Sequence, residues 1–129
     1  VKNDSDTIHV KVVVTETISG YSAEFDPKII DVDDNDSILS FRLVSPTPDN
    51  VVIDKVRIKQ VGQDQLSKPS ISQNGKRAIL SDENTVQGQF NLQFTFKQKG
   101  TAAAALARTA DEECKEESDE YPIIINNPP

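Results

Sequence analysis

The sequence predicts an all-β domain, an antiparallel β-sandwich of about seven to nine short strands. Three observations carry that expectation. Apolar residues recur with a period of two, turn-forming residues separate the periodic runs, and hydrophobic residues make up only 36% of 129 residues, with no Trp and no Met. A core of Val, Ile, Leu and five Phe is enough for one domain, residues 1–129, and too small for two.

The elements follow in chain order. Ile8, Val10, Val12 and Val14 alternate in TIHVKVVV, the pattern of a strand with one buried and one wet face. Lys28–Val32 follows the Asp26-Pro27 turn as a short strand. Leu39, Phe41 and Leu43 alternate in SILSFRLV, and the Ser45–Asn50 stretch, with two prolines, ends that run. Val51–Val61 sets Val56 and Ile58 against Lys55, Arg57 and Lys59. Ser70–Ser72 and Lys76–Leu80 flank Asn74-Gly75, the dipeptide favoured by a type I′ hairpin turn. Phe90, Leu92, Phe94 and Phe96 alternate in QFNLQFTFK.

Gly100–Glu120 breaks the period. Its four consecutive alanines predict a short helix from Ala102 to about Ala110, and the acidic run behind them predicts a loop. The chain then returns to the sheet at Tyr121 with the terminal strand of YPIIINNPP.

Charge and motif content exclude several function classes. A net charge of -7 and a pI near 4.6 argue against nucleic-acid binding, which needs Lys and Arg on phosphates. The apolar runs are too short for a membrane-spanning helix. No leader is visible, which favours a cytoplasmic setting. Cys114, the one cysteine, sits in DEECKEESDE, where neighbouring negative charge disfavours a reactive thiolate. The scattered glycines form no phosphate-binding loop, so no cofactor is expected. Asp31, Asp33 and Asn35 begin like an EF-hand loop, but Asp36 stands at the turn-glycine position and Arg42 at the closing-glutamate position; a solvated turn is the better reading, and no metal is expected. His9, out of phase with Ile8 and Val10, faces solvent with no nucleophile motif beside it.

Lys97 is the residue with chemical interest. Alternation turns it away from the phenylalanines, near where the acidic excursion leaves and re-enters the sheet. A lysine held against a carboxyl or amide on a neighbouring strand attacks it when burial lowers the amine pKa and a second acid protonates the carbonyl oxygen. The alternative is an ordinary solvated edge lysine.

The order FDPKIIDV, SFRLVS, FNLQFTFK and the terminal P-I-I-I-N-N-P resembles the DUF1888, or DP-EP, family of small bacterial self-cleaving, self-assembling β-sandwich endopeptidases. The resemblance implies scission of the bond before a proline near the C-terminus, with the last strand left bound in the sandwich. It also implies a lysine linked to the newly exposed aspartate, the position that Lys97 fits. An acid that activates water fits Asp36 or a neighbour, and a tyrosine near the first turn fits Tyr21. The family's scissile bond is Asp-Pro, whereas Tyr121 precedes Pro122 here. A phenol cannot form the cyclic anhydride that an aspartate forms on its own carbonyl, so altered or lost cleavage is expected. The second reading is a non-catalytic module whose copies assemble into a homo-oligomer by exchanging the C-terminal strand.

Overall fold

In the computed structural model, which describes residues 7–18, 20–100, 104–106, 108–109 and 122–129, the period-two runs form the strands of a two-layered β-sandwich. In chain order these are β1 (Thr7–Thr17), β2 (Gly20–Asp26), β3 (Ile29–Val32), β4 (Ser37–Leu43), β5 (Val51–Ile58), β6 (Ser70–Ile71), β7 (Arg77–Asp82), β8 (Gly88–Gln98), β9 (Ala104–Leu106), β10 (Arg108–Thr109) and β11 (Ile123–Asn126). One sheet has the order β10-β2-β1-β4-β7-β6. The other has the order β3-β11-β8-β5, with β9 added along β8.

The sheets are mixed rather than purely antiparallel. β1 and β2 form a hairpin, the chain crosses to the second sheet for β3, and β4 returns to the free side of β1, running parallel to it. β11 is likewise parallel to β3 and β10 parallel to β2. Period two reports which face of a strand is buried and carries no information about strand direction.

The core lies between the layers. Val10, Val12 and Val14 of β1 meet Leu39 and Phe41 of β4 on one side, and Leu92, Phe94 and Phe96 of β8 face them from the other. Phe94 is the hub: its ring centroid lies 5.0 Å from Phe25 and 5.2 Å from Phe41. Each such side chain, fully buried, contributes roughly 1.5–3 kcal/mol of transfer free energy.

Two local expectations are corrected. Among the described residues of Ala102–Ala110 there is no helix. Ala104–Leu106 pairs antiparallel with Thr95–Lys97, and Arg108–Thr109 pairs with Ser22–Ala23, because open sheet edges supply backbone partners that outweigh alanine's helix propensity. The turn between β6 and β7 is not type I′ either. Gly75 has φ +74 while Asn74 is not left-handed, and Gly75 N–H donates to the Ser72 carbonyl at 2.9 Å; this is a four-residue turn closed by a left-handed glycine. The strand predicted to reach Val61 ends at Ile58.

The sandwich thus has two distinguishable ends. At one, the Asp34–Ser37 turn meets Glu83 and Asn84, with Asp36 N–H donating to the Glu83 carbonyl. At the other, Ile53 N–H donates to the Gly75 carbonyl, and Lys76 Nζ donates to the carbonyls of Asp49 and Val51. β7 runs from the second end to the first.

Candidate functional site

The terminal strand is built into the sheet from the inside. β11 lies between β3 and β8, with Ile123 to Asn126 in register with Ile29 to Val32 on one side and Asn91 to Gly88 on the other. The pairing continues beyond both ends of the strand. Leu92 N–H donates to the Pro122 carbonyl at 3.1 Å, Ile123 N–H to the Lys28 carbonyl at 2.9 Å, and Asn127 N–H to the Val32 carbonyl at 2.8 Å. Proline lacks an N–H, so Pro122, itself buried, enters without leaving a donor unpaired. Ile124 and Asn126 point into the core and are fully buried, while Ile123 and Ile125 are half-buried.

Asn126 ends in a buried polar cluster. Its Nδ2 donates to the Val86 carbonyl at 3.2 Å. Gln65 Oε1 accepts from Thr85 N–H at 2.8 Å and Val86 N–H at 3.0 Å. Asn84, in the left-handed region with φ 52, donates Nδ2 to the carbonyls of Val32, Asp34 and Asn127. Asp82 accepts from Asn84 N–H at 2.9 Å. Those partners fix both amide orientations, because turning either amide over would set its oxygen against carbonyl oxygens. Asp82 Oδ2, Asn84 Oδ1 and Asn126 Oδ1 are then buried acceptors with no donor.

Burial pushes the Asp82 carboxyl up from the ordinary carboxylate range. The Asn84 N–H and the Asn126 side chain oppose that rise, and the Glu83 charge adds to it. A protonated Asp82 supplies one donor to a cluster rich in acceptors, so the neutral form suits this position. Outside the cluster, Asn127 Nδ2 donates to Asp31 Oδ1 and Asp33 Oδ1 at 3.4 and 3.2 Å. Two carboxylates of the acidic turn are therefore spent on holding the tail.

The sequence-predicted residues distribute as follows. Lys97, with its side chain about one-third exposed (32%), has its Nζ 3.3 Å from Asp54 Oδ1, at the β5 bulge between Ile53 and Lys55. Tyr21 faces inward against Phe96, ring centroids 6.1 Å apart, and its hydroxyl pKa is raised by burial and then by the charge of Glu16. Tyr21 and Lys97 therefore share one end of the sandwich but occupy opposite faces of β8. Asp36 lies at the other end, exposed, in a left-handed turn conformation with φ 53.

Pro122 sits beside Leu92, five positions before Lys97 on β8, or about 17 Å along an extended strand. The structure brings neither Asp36 to Lys97 nor Lys97 to Pro122. Tyr121 and Cys114, together with the acidic run, lie outside the described residues. His9 is exposed on β1.

Sequence reading missed Asp82, Asn84, Gln65 and Asn126. A signal for two of them was present. Asp82 is in phase with Ala78 and Leu80, and Asn126 is in phase with Ile124, which places a polar residue last on each buried face. No protein-family model matches the chain, and no curated protein matches it.

Proposed function

We propose that this protein is a strand-completed β-sandwich that assembles with copies of itself by exchanging its C-terminal segment, Pro122–Pro129, and that it belongs among the self-processing β-sandwich proteins it resembles. The supporting observation is the interior seat of β11, hydrogen-bonded along both edges and anchored by Ile124 and Asn126. A strand held that way needs no covalent tie ahead of Pro122 to stay in place, and the same seat accepts the equivalent strand from another copy. The twelve residues Ala110–Tyr121 that join β10 to this segment give it reach.

The test is a covalent trap. Ile29 and Ile123 are directly opposite across the β3–β11 pair. In the full chain carrying Ile29→Cys, Ile123→Cys and Cys114→Ser, oxidation after concentration yields disulfide-linked dimers if the strand exchanges. Internally bridged monomers at every concentration would refute exchange.

A second reading, scission ahead of Pro122, is favoured by the fact that the residues after that bond, from Pro122 to Asn127, are hydrogen-bonded into the sheet. Hydrolysis there adds one water across the Tyr121-Pro122 amide and leaves the strand bound. An intact mass under denaturing conditions distinguishes it, showing two fragments that sum to the chain plus one water. The location of Lys97 on Asp54, away from Pro122, favours exchange over scission.

A further inference from the structure

The outer face of the first sheet carries a row of cations that neither strand exchange nor cleavage uses. Lys11 of β1 is directly opposite Arg42 of β4, and Arg42 is directly opposite Arg77 of β7. All three point outward and are exposed. Directly opposite residues on neighbouring strands lie about 4.5–5.5 Å apart, and like charges placed so repel. Among the described residues, the charged end of none of the three makes an ion pair or a hydrogen bond. The row's one carboxylate is Asp26, opposite Lys11 on β2.

The cations line a cleft of about 290 Å³ together with His9, Ser40, Asp26 and Pro27. On a chain of net charge -7, three adjacent cations facing one cavity need a reason beyond solubility. A bound anion supplies it, replacing mutual repulsion with charge-assisted hydrogen bonds.

We propose that this cleft binds a compact tetrahedral oxyanion, inorganic phosphate or the phosphate group of a small molecule. Each guanidinium presents a planar fork of donors and Lys11 a further charged donor. One fork already engages both oxygens of a carboxylate, whereas a phosphate has further oxygens to offer Arg42, Arg77 and Lys11 together.

Amide NMR of the full chain tests the proposal, with sodium phosphate titrated at fixed pH and ionic strength against a sodium chloride control. Saturable shifts are expected at Lys11, Ser40, Arg42 and Arg77, and none at Asn126. Arg42→Gln and Arg77→Gln should each weaken binding by about tenfold or more, while Lys97→Gln, outside the cleft, changes it by less than about twofold. Both Gln variants should also lose the rise in Tm that phosphate gives the parent.

Shifts that never saturate, shifts reproduced by chloride, or undiminished binding in the two arginine variants would overturn the site. Citrate that binds tighter than phosphate and depends on the same arginines would overturn the phosphate assignment in favour of a polycarboxylate. A phosphomonoester that binds at least as tightly as inorganic phosphate would support the small-molecule form of the ligand.

Discussion

Asp82 and Asn126 close one end of the core from opposite sheets. Each is the last inward-facing residue of its strand, each is fully buried, and the Asn126 side chain, which donates to the Val86 carbonyl, opposes the rise that burial gives the Asp82 pKa. The terminal strand is therefore seated by a polar contact at its end and by an apolar one, through Ile124, in its middle. Unpaired buried acceptors cost free energy, so the Asp82–Asn126 end is the weaker part of the seat, and it is the part that responds to pH.

The pH response has a definite sign. Asp82 binds its proton more tightly in the folded chain than in the unfolded one, because burial raises its pKa. Its stabilising contribution is complete below the unfolded value of about 3.9 and is lost as pH rises through the higher folded value. Asp82→Asn keeps an acceptor for the Asn84 N–H and never ionises. The variant should match the parent near pH 4 and exceed it at pH 7 by roughly 1 kcal/mol or more. Urea melts across that range check it, and a difference that does not vary with pH would contradict the assignment.

Gly75 is held by both conformation and space. Its φ is +74, and a Cβ there would sit 2.6 Å from Val52 Cβ, an atom fixed by the backbone that no side-chain rotation moves away. Gly75→Ala should cost about 2–3 kcal/mol, combining left-handed strain with overpacking. At Gly62, also left-handed but with nothing within 4 Å, the same substitution should cost only the strain, about 1 kcal/mol. Chemical denaturation of the two variants separates the contributions, and equal losses would remove the steric one.

How far these features can be read from sequence depends on their range. Alternation at Val10, Val12 and Val14 and at Leu92, Phe94 and Phe96 revealed the sandwich, because burial of one strand face is written locally in period two. The parallel pairing of β1 with β4 and of β3 with β11 was not legible, since direction depends on which sheet the chain enters next. The helix expected over the alanines gave way to strands because the receiving edges, Thr95–Lys97 and Ser22–Ala23, are distant in sequence. Lys97 was recognisable as a face-reversed lysine, but its partner Asp54 was hidden by the bulge that shifts the register after Ile53. The anion cleft was invisible, because Lys11, Arg42 and Arg77 become neighbours only through strand order.

Lys97 and Asp54 should behave as a partly exposed ion pair. With side chains 32% and 24% accessible, solvent screens their attraction, so Lys97→Ala and Asp54→Ala should each cost under about 1 kcal/mol, with a coupling energy of a few tenths that shrinks in high salt. Parent and variants should each show the intact mass that their own sequence requires, with no water lost. A mass lower by one water in the parent and restored in Lys97→Ala would instead show that an amide links Lys97 to an acid.

Ile124 gives the terminal strand its apolar anchor, and truncating it tests whether the strand comes loose separately from the sandwich. Ile124→Ala removes a fully buried side chain and should cost about 2–4 kcal/mol. If the strand is a separable element, hydrogen exchange should accelerate first at Leu92, Ile123 and Asn127, whose N–H groups hold the segment to its neighbours or are held by it, while Val12 and Phe41 in the other sheet keep their protection. The same variant should reach its limiting fraction of disulfide-linked dimer sooner in the cysteine trap, because opening of the seat precedes exchange. Uniform loss of protection across both sheets would mean that β11 unfolds only with the whole domain, and exchange between folded copies would then have no route short of global unfolding.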